Sequence, residues 1–286
     1  MRRALLLVPV WAWLLALVAA PLLIVLAIAF AEIDAGVPPF IPPLLWEDGG
    51  PVLRPNTQNF ALLAEDDFYL SAMLSAVRVA VVTAGLCLVI AYPMALAIAR
   101  AAERWRLPLL ALALLPFWTG FLLRVSAWIG LLRDEGLINH ALQALGLIEA
   151  PLPLLYSDFA LQLGMVHAYL PFAILPLYAT LARMDPALEE AAADLGARPA
   201  TIFLTVTLPL SAPGALAAFL LVFIPAAGEF VIPELLGPPE ANLVGRVLWQ
   251  EFFQNRDWPV ASALAVALLL VLLPPILLFQ RLESRP

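Results

Sequence analysis

The chain contains no lysine; all 15 of its basic side chains are arginine. That absence excludes a Walker A phosphate loop, which needs Gly-Lys-Ser/Thr, and any lysine Schiff base. If a protein of this sequence runs on ATP, another subunit must bind the nucleotide. The single cysteine, Cys87, excludes an intramolecular disulfide and a thiolate cluster for a metal. Only two histidines occur, His140 in an expected loop and His167 in an expected helix, and neither has a second His or a Cys nearby. No metal ligands, no nucleophile–base pair and hence no catalytic residues are assigned. Charged residues make up 13% of the chain, and nothing in their pattern points to nucleic acid.

What fills the chain instead is apolar: 63% of residues are hydrophobic and the mean hydropathy is +0.95. This composition points to an all-α polytopic membrane protein. A bilayer core about 30 Å thick needs roughly 20 apolar residues per helix. Six stretches reach that length, near 8–31, 70–99, 107–132, 158–182, 210–232 and 259–281. The first follows Met1-Arg2-Arg3 and mimics a signal peptide. It is too long for one and lacks a clean small-residue cleavage site, which predicts a retained signal-anchor helix. With six crossings, Arg2, Arg3, Arg100, Arg104, Arg106, Arg183, Arg198, Arg281 and Arg285 fall on the side of the N-terminus. Arg54, Arg246 and Arg256 fall on the other, with Arg78, Arg124 and Arg133 in or near helices. The positive-inside rule then places both termini in the cytoplasm and most acids, Asp48 among them, outside.

The expected organisation is an N-terminal helix with a Pro-rich outer loop over 1–69, a membrane core over 70–281 and a short tail over 282–286. The outer loop carries Pro38-Pro39 and Pro42-Pro43, and is too long for a simple turn, so it is expected to pack on the outer surface or near a docking partner. Further outer segments are expected near 133–157 and 233–258. Pro171 and Pro176 predict a kink in the fourth spanning helix. No convincing internal repeat is visible, which weighs against an inverted-repeat carrier.

The most informative stretch is the charged break at residues 190–209, EAAADLGARPATIFLTVTLP. Asp185-Pro186 just before it predicts a helix start, with Asp as N-cap and Pro at the first helical position. Glu189 and Glu190 suit the first turns, where the macrodipole favours negative charge. Gly196 is placed to end the helix in a left-handed cap, and Pro199 prevents simple continuation. A second turn from Pro199 would present Ile202, Phe203 and Val206 on one side, able to rest on the membrane surface. An ordinary interfacial linker is one reading. The other is a small-faced alanine helix that enters a groove on another protein, with a carboxylate at its edge to fix register.

Glu190-Ala191-Ala192, Leu195-Gly196-Ala197, Phe203, Val206 and Leu208-Pro209 resemble the EAA signature of ABC-importer permease subunits. Tyr92-Pro93-Met94-Ala95, Leu115-Pro116-Phe117-Trp118, Leu123-Arg124-Val125-Ser126-Ala127-Trp128 and Gly136-Leu137-Ile138-Asn139 resemble its spermidine/putrescine branch. So do Leu170-Pro171-Phe172, Leu175-Pro176-Leu177-Tyr178 and the run from Phe223 through Glu229 to Gly237. The resemblance implies a type I importer permease fold in the bacterial inner membrane: five core helices preceded by one peripheral helix. It implies that Glu190, Ala191, Ala192, Leu195, Gly196, Ala197, Leu208 and Pro209 form the segment coupled to the ATPase. It also implies a second homologous permease, two cytosolic ATPase subunits and an extracytoplasmic solute-binding protein. No cofactor is expected on this chain, ATP and Mg being held by the ATPases. The implied cargo is a polyamine, with ferric iron, thiamine or an oxyanion carried by related branches.

Arg124 is the most notable intramembrane charge, and an arginine at a helix centre costs about 2.5–3.5 kcal/mol on insertion scales. It is expected to act structurally, satisfying carbonyls or a carboxylate between helices, since it would repel a polyamine. Glu229, near the outer end of the fifth helix, either attracts an entering ammonium group or pairs with Arg124. Trp118, Tyr169 and Phe230, and with them Trp128, either line a cation path by cation–π contact or serve packing and interface roles. Two rival classes lack their signatures here. A stand-alone ion-coupled carrier has no use for the segment at 190–209, and a lipid-acting enzyme would need clustered Asp, His or Lys at the interface.

Overall fold

A computed structural model describes residues 2–47 and 50–283, with side chains over 8–47 and 50–281. Asp48, Arg285 and the last three residues of the expected tail 282–286 lie outside the described residues, as do the side chains of Arg2 and Arg3. Along the chain, helix α1 (Val8–Ala29) is followed by two short strand pairs, β1 (Glu32–Ile33) with β2 (Phe40–Ile41) and β3 (Leu44–Glu47) with β4 (Gly50–Leu53). Then come α2 (Gln58–Glu65), α3 (Asp67–Arg100), α4 (Glu103–Leu114), α5 (Phe121–Leu132) and α6 (Leu137–Ala144). After them come α7 (Asp158–Leu181), α8 (Pro186–Asp194), α9 (Pro199–Ala227), α10 (Val231–Leu236), α11 (Val244–Trp249) and α12 (Trp258–Glu283).

Among the described residues five helices, α1, α3, α7, α9 and α12, are each long and apolar enough to cross a bilayer. The sixth crossing expected near 107–132 is a bent pair: Glu103–Trp118 meets Phe121–Ala144 at 82°. Pro116 lies in a 3-10 turn at Leu115–Trp118, and Thr119 and Gly120 are extended, so the α-helical ladder cannot continue. Six spans are reached when this pair counts as one.

Prolines elsewhere are absorbed without a break. Pro21 and Pro209 each follow by two residues a π-helical turn, Leu15–Ala19 and Phe203–Thr207. A proline donates no N–H and its ring crowds the carbonyl four residues back, and a turn widened by one residue relieves that crowding. The second turn joins the segment after Pro199 to the following span as one helix of 29 residues, longer than the expected 210–232. Likewise α7 runs unbroken through Pro171 and Pro176.

The chain packs as two compact units, Met1–Ser75 with Asn242–Leu273 and Ala76–Ala241 with Pro274–Pro286. In the first, α1 is exposed along nearly its whole length, and its end is closed by buried Asn59, whose amide donates to the carbonyls of Ala29 and Ala31 at 2.9 Å each. Tyr69 and Asn255 both donate to the buried carboxylate of Glu251. The outer segment expected at 233–258 is mostly helical, formed by α10, α11 and a π turn.

In the second unit, α3 presents the small buried stripe Ala76, Ala80, Ala84, Cys87, Ala91 and Ala95. Small residues at helical spacing let membrane helices approach closely. Against α7 the approach is fixed by Thr83 Oγ1 donating to Gln162 at 3.0 Å. Among the described residues the most extensive helix contact joins α7 to α9. It is tight at Gly214, where a Cβ would collide with Thr180 and lie 3.2 Å from the carbonyl oxygen of Pro176. At Gly164 a Cβ would lie 2.5 Å from Leu236. The outward surface is as apolar as the interior, with Val89 and Leu123 both 72% exposed, which suits lipid or another membrane subunit as solvent.

Overpacking of this kind costs about 1–3 kcal/mol. Gly214→Ala is therefore expected to lower the thermal unfolding midpoint of the detergent-purified protein, whereas Gly85→Ala, where a Cβ would meet nothing within 4 Å, is not.

Candidate functional site

Two places gather the residues singled out in the sequence. The first is the connection 182–209. Asp185 caps α8 as expected, its Oδ1 accepting from the amide of Ala187 at 3.0 Å, with Pro186 in the first turn. At the other end Gly196 has φ +81°, its N–H donating to Ala193 O at 2.8 Å, while Ala197 N–H donates to Ala192 O at 3.1 Å. This pair of bonds is a Schellman motif. A Cβ on Gly196 would meet nothing within 4 Å, so the glycine is required by the backbone angle and not by space.

Helix α8 exposes one face and turns the other inward. Glu190, Ala191 and Gly196 are exposed and Leu195 is 89% exposed, while Glu189, Ala192 and Ala197 are half-buried. Glu189 faces inward because it sits three residues before Ala192, whereas Glu190 is turned roughly 100° away. The Glu189 carboxylate accepts Arg100 Nη2 at 2.6 and 2.8 Å and Thr207 Oγ1 at 2.6 Å. The hydrogen bond from Thr207 and the Arg100 guanidinium outweigh the burial that opposes them, and hold the Glu189 carboxyl below the usual glutamate range. Arg100 ends α3 and Thr207 is a buried residue of the π turn in α9, so one carboxylate bridges three helices.

Ile202, Phe203 and Val206 share a face, but not the one expected on the membrane surface. All three are half-buried, with Phe203 edge-on to Tyr92 at 5.5 Å, because α9 is one continuous helix here and turns this face to α3. The signature residues Leu208 and Pro209 lie on the exposed side, just after the π turn that Pro209 imposes.

The second place lies between α5 and α7. A pocket of about 350 Å³ is lined by Phe117, Phe121, Arg124, Tyr169 and Phe172 with Thr119 and Ala168. Arg124 projects over the rings of Phe117 and Phe121, at 5.6 and 6.0 Å from their centroids. Its Nε and Nη1 are buried with no hydrogen-bond partner among the described residues. The pairing of Arg124 with Glu229 that the sequence left open does not form. Glu229 instead accepts Tyr169 Oη at 2.5 Å on one oxygen and the amides of Phe230 and Val231, at 3.1 and 2.9 Å, on the other. It thereby closes the start of α10 with two backbone amides. Tyr169, Glu229 and Phe230 are thus brought together. Trp118 is 81% exposed, and its neighbour Phe117 takes the place in the pocket. Trp128 stands edge-on to His167 at 5.5 Å. His140 is helical, within α6, and not in a loop. Among the described residues no group of three His, Cys, Asp or Glu is placed to hold a metal.

Sequence reasoning missed Glu189, Arg100 and Thr207. Helical phase was the available signal: Glu189 and Ala192 share a stripe that Glu190 does not. Phe117 and Phe172 stood within quoted motifs, but which of two adjacent aromatics enters a pocket depends on the 3-10 turn.

The family described as binding-protein-dependent transport system inner membrane component matches residues 4–285. The chain is 34% identical over 272 residues to the spermidine/putrescine transport system permease protein PotB of Haemophilus influenzae, covering 95% of this chain and 91% of that one. It is 35% identical over 216 residues to PotB of Escherichia coli, covering 76% and 78%. Among solved structures, a bacterial ABC transporter involved in import of the acidic polysaccharide alginate superposes with a TM-score of 0.65 at 18% identity, over 97% of this chain and 94% of that one. At that identity the likeness is one of fold, a type I importer permease.

Two outcomes are expected from this geometry. Loss of a capping acceptor costs about 0.5–2 kcal/mol, so Glu229→Ala should destabilise α10, read as faster amide exchange over residues 230–236. The carboxyl of Glu189 is held low, so its contribution is complete above the ordinary glutamate range and is lost as pH falls through the depressed value. The stability gap between wild type and Glu189→Gln should therefore be full at neutral pH and close only below that ordinary range.

Proposed function

Because the chain belongs to the family of binding-protein-dependent transport system inner membrane components, and is a multi-pass permease subunit, we propose that it carries polyamines inward as part of an ABC importer. The observation that carries the cargo assignment is the 34% identity to a spermidine/putrescine permease over nearly the full length of both chains. We place both termini in the cytoplasm, the side on which the arginines gather. In this reading residues 1–69 form a peripheral helix with its outer loop and 70–281 the conducting core. A second homologous permease completes the pathway, two cytosolic subunits hold ATP and Mg, and an extracytoplasmic binding protein delivers cargo. The chain itself performs no chemistry.

The exposed face of α8, with Glu190, Ala191 and Leu195, is the surface offered to an ATPase. It is small, helical and fixed at both ends by its caps, so a groove that grips it moves it as a rigid body. ATP-driven closure of the two ATPases would draw α8 with it, and through α9 would spread the far ends of the helices. Within the membrane, the pocket lined by Phe117, Phe121, Tyr169 and Phe172 offers aromatic faces to a chain of methylenes and ammonium groups, with Glu229 behind Tyr169 as its hydrogen-bond acceptor. Arg124 adds a repulsive charge that would keep a polycation from settling, while the binding protein does most of the selecting.

A second reading rests on Arg124 itself. Two buried guanidinium nitrogens without partners would suit an oxyanion in the same class of permease.

The test is uptake of radiolabelled spermidine into proteoliposomes holding the complete importer. A non-glycine residue at φ near +80° costs about 1–2 kcal/mol, so Gly196→Ala, like Glu190→Arg, should abolish or sharply reduce uptake while the protein stays in the membrane. Unimpaired uptake in both would overturn the coupling role. Competition by putrescine is expected, and competition by molybdate instead would favour the oxyanion.

A further inference from the structure

The inward face of α8 carries a device that the exposed signature does not describe. Covalently, α8 is joined to α7 through residues 182–185 and to α9 through 195–198. No chain connection leads from it to α3. Among the described residues the hydrogen bonds between α8 and that third helix are made by Glu189, whose carboxylate accepts Arg100 Nη2 and also the hydroxyl of Thr207. Thr207 is 1% exposed and spends its proton on Glu189, so the bond reaches into the packed base of α9 and not merely its surface. One turn further along, Tyr92 Oη and Ser211 Oγ lie 2.6 Å apart and tie α3 to α9 again. Between these two ties, α3 and α9 form the sides of a frame and Glu189 closes its base.

We infer that Glu189 is the positioning residue that makes α8 move together with α3. The inference rests on the reading of α8 as the helix that docks on an ATPase. A groove pulling on α8 displaces α7 and α9 through the backbone whatever Glu189 does. Helix α3 also follows α9 through Tyr92 and Ser211 and α7 through Thr83 and Gln162, so what the Glu189 carboxylate adds by holding Arg100 is the register between the end of α3 and α8 as they move. Glu190 meets the partner; Glu189 distributes the motion inside this chain. An exposed ion pair alone is worth little. Here the carboxylate is half-buried, accepts a buried hydroxyl as well, and lies where two otherwise separate elements would slide.

The test uses the complete importer with Cys87 replaced by alanine and spin labels at Ala102, beside the end of α3, and at Asp194, the last residue of α8. Both positions are exposed. The distance between them is measured in the nucleotide-free and the vanadate-trapped states, with an α8-to-ATPase distance recorded alongside. In the otherwise wild-type protein the α3–α8 distance is expected to stay single and narrow in both states while the α8–ATPase geometry changes. Glu189→Gln, which keeps an acceptor for Thr207 but removes the ion pair, should lose that single distance in the trapped state. The exchange of charges in Glu189→Arg with Arg100→Glu should restore it, which a merely misfolded variant would not show. Spermidine uptake per ATP should fall on the order of tenfold in the single variants and recover in the exchange. An unchanged narrow distance in Glu189→Gln alongside wild-type movement at the ATPase would overturn the inference and leave the reading of α8 intact. An α8–ATPase distance that ignores nucleotide in the wild type would overturn that reading itself.

Discussion

A bilayer offers the backbone no hydrogen-bond partners, and nearly every local feature of this chain answers that constraint. Prolines are frequent, 27 in all, and each one inside a spanning helix leaves a carbonyl unanswered. At Pro21 and Pro209 the helix widens into a π turn before the proline. Thr180 returns its hydroxyl to the carbonyl of Pro176 at 3.0 Å, and Thr205 does the same to Thr201 at 2.7 Å. Asn59 closes the last carbonyls of α1, and Glu229 supplies the acceptor that the start of α10 lacks. Side chains that a soluble protein would give to water are here given to the backbone.

The same constraint sorts the charges by role. Glu189 is fully engaged and bridges three helices at one end of the bundle. Glu229 is engaged too, with both oxygens occupied, and it reaches the pocket only through Tyr169, whose hydroxyl it accepts. Arg124 sits over two phenylalanine rings with two nitrogens unanswered among the described residues, the opposite case. A positive charge so placed opposes occupation of the pocket by a cation.

The membrane class, five of the six expected spans and both caps of α8 were legible in the sequence because each depends on local, periodic signals: run length, Asp-Pro, and a glycine six residues after a glutamate. The bend at Thr119-Gly120 was not, since hydropathy runs evenly across it and only the proline before it marks the turn. The strand pairs between residues 32 and 53 were hidden by proline-rich composition, though Leu44 to Glu47 alternates as a half-buried strand should. Glu189 was passed over for Glu190 because a motif is read along the chain, whereas a contact depends on helical phase set by neighbours far away, Arg100 at one remove and Thr207 at another. Trp118 was named for a cation path and Phe117 was not, whereas the 3-10 turn directs Phe117 into the pocket and leaves Trp118 exposed.

The central claim is that the exposed face of α8 is where force from an ATPase enters this chain. The most direct measurement is disulfide or bifunctional cross-linking from a cysteine placed at Ala191 in the assembled importer, with Cys87 buried and therefore silent. A cross-link from that position to the ATPase subunit, altered in yield by ATP, is the expected result. No cross-link to the ATPase, or labelling of that cysteine by an impermeant reagent from the outside of intact cells, would contradict the account.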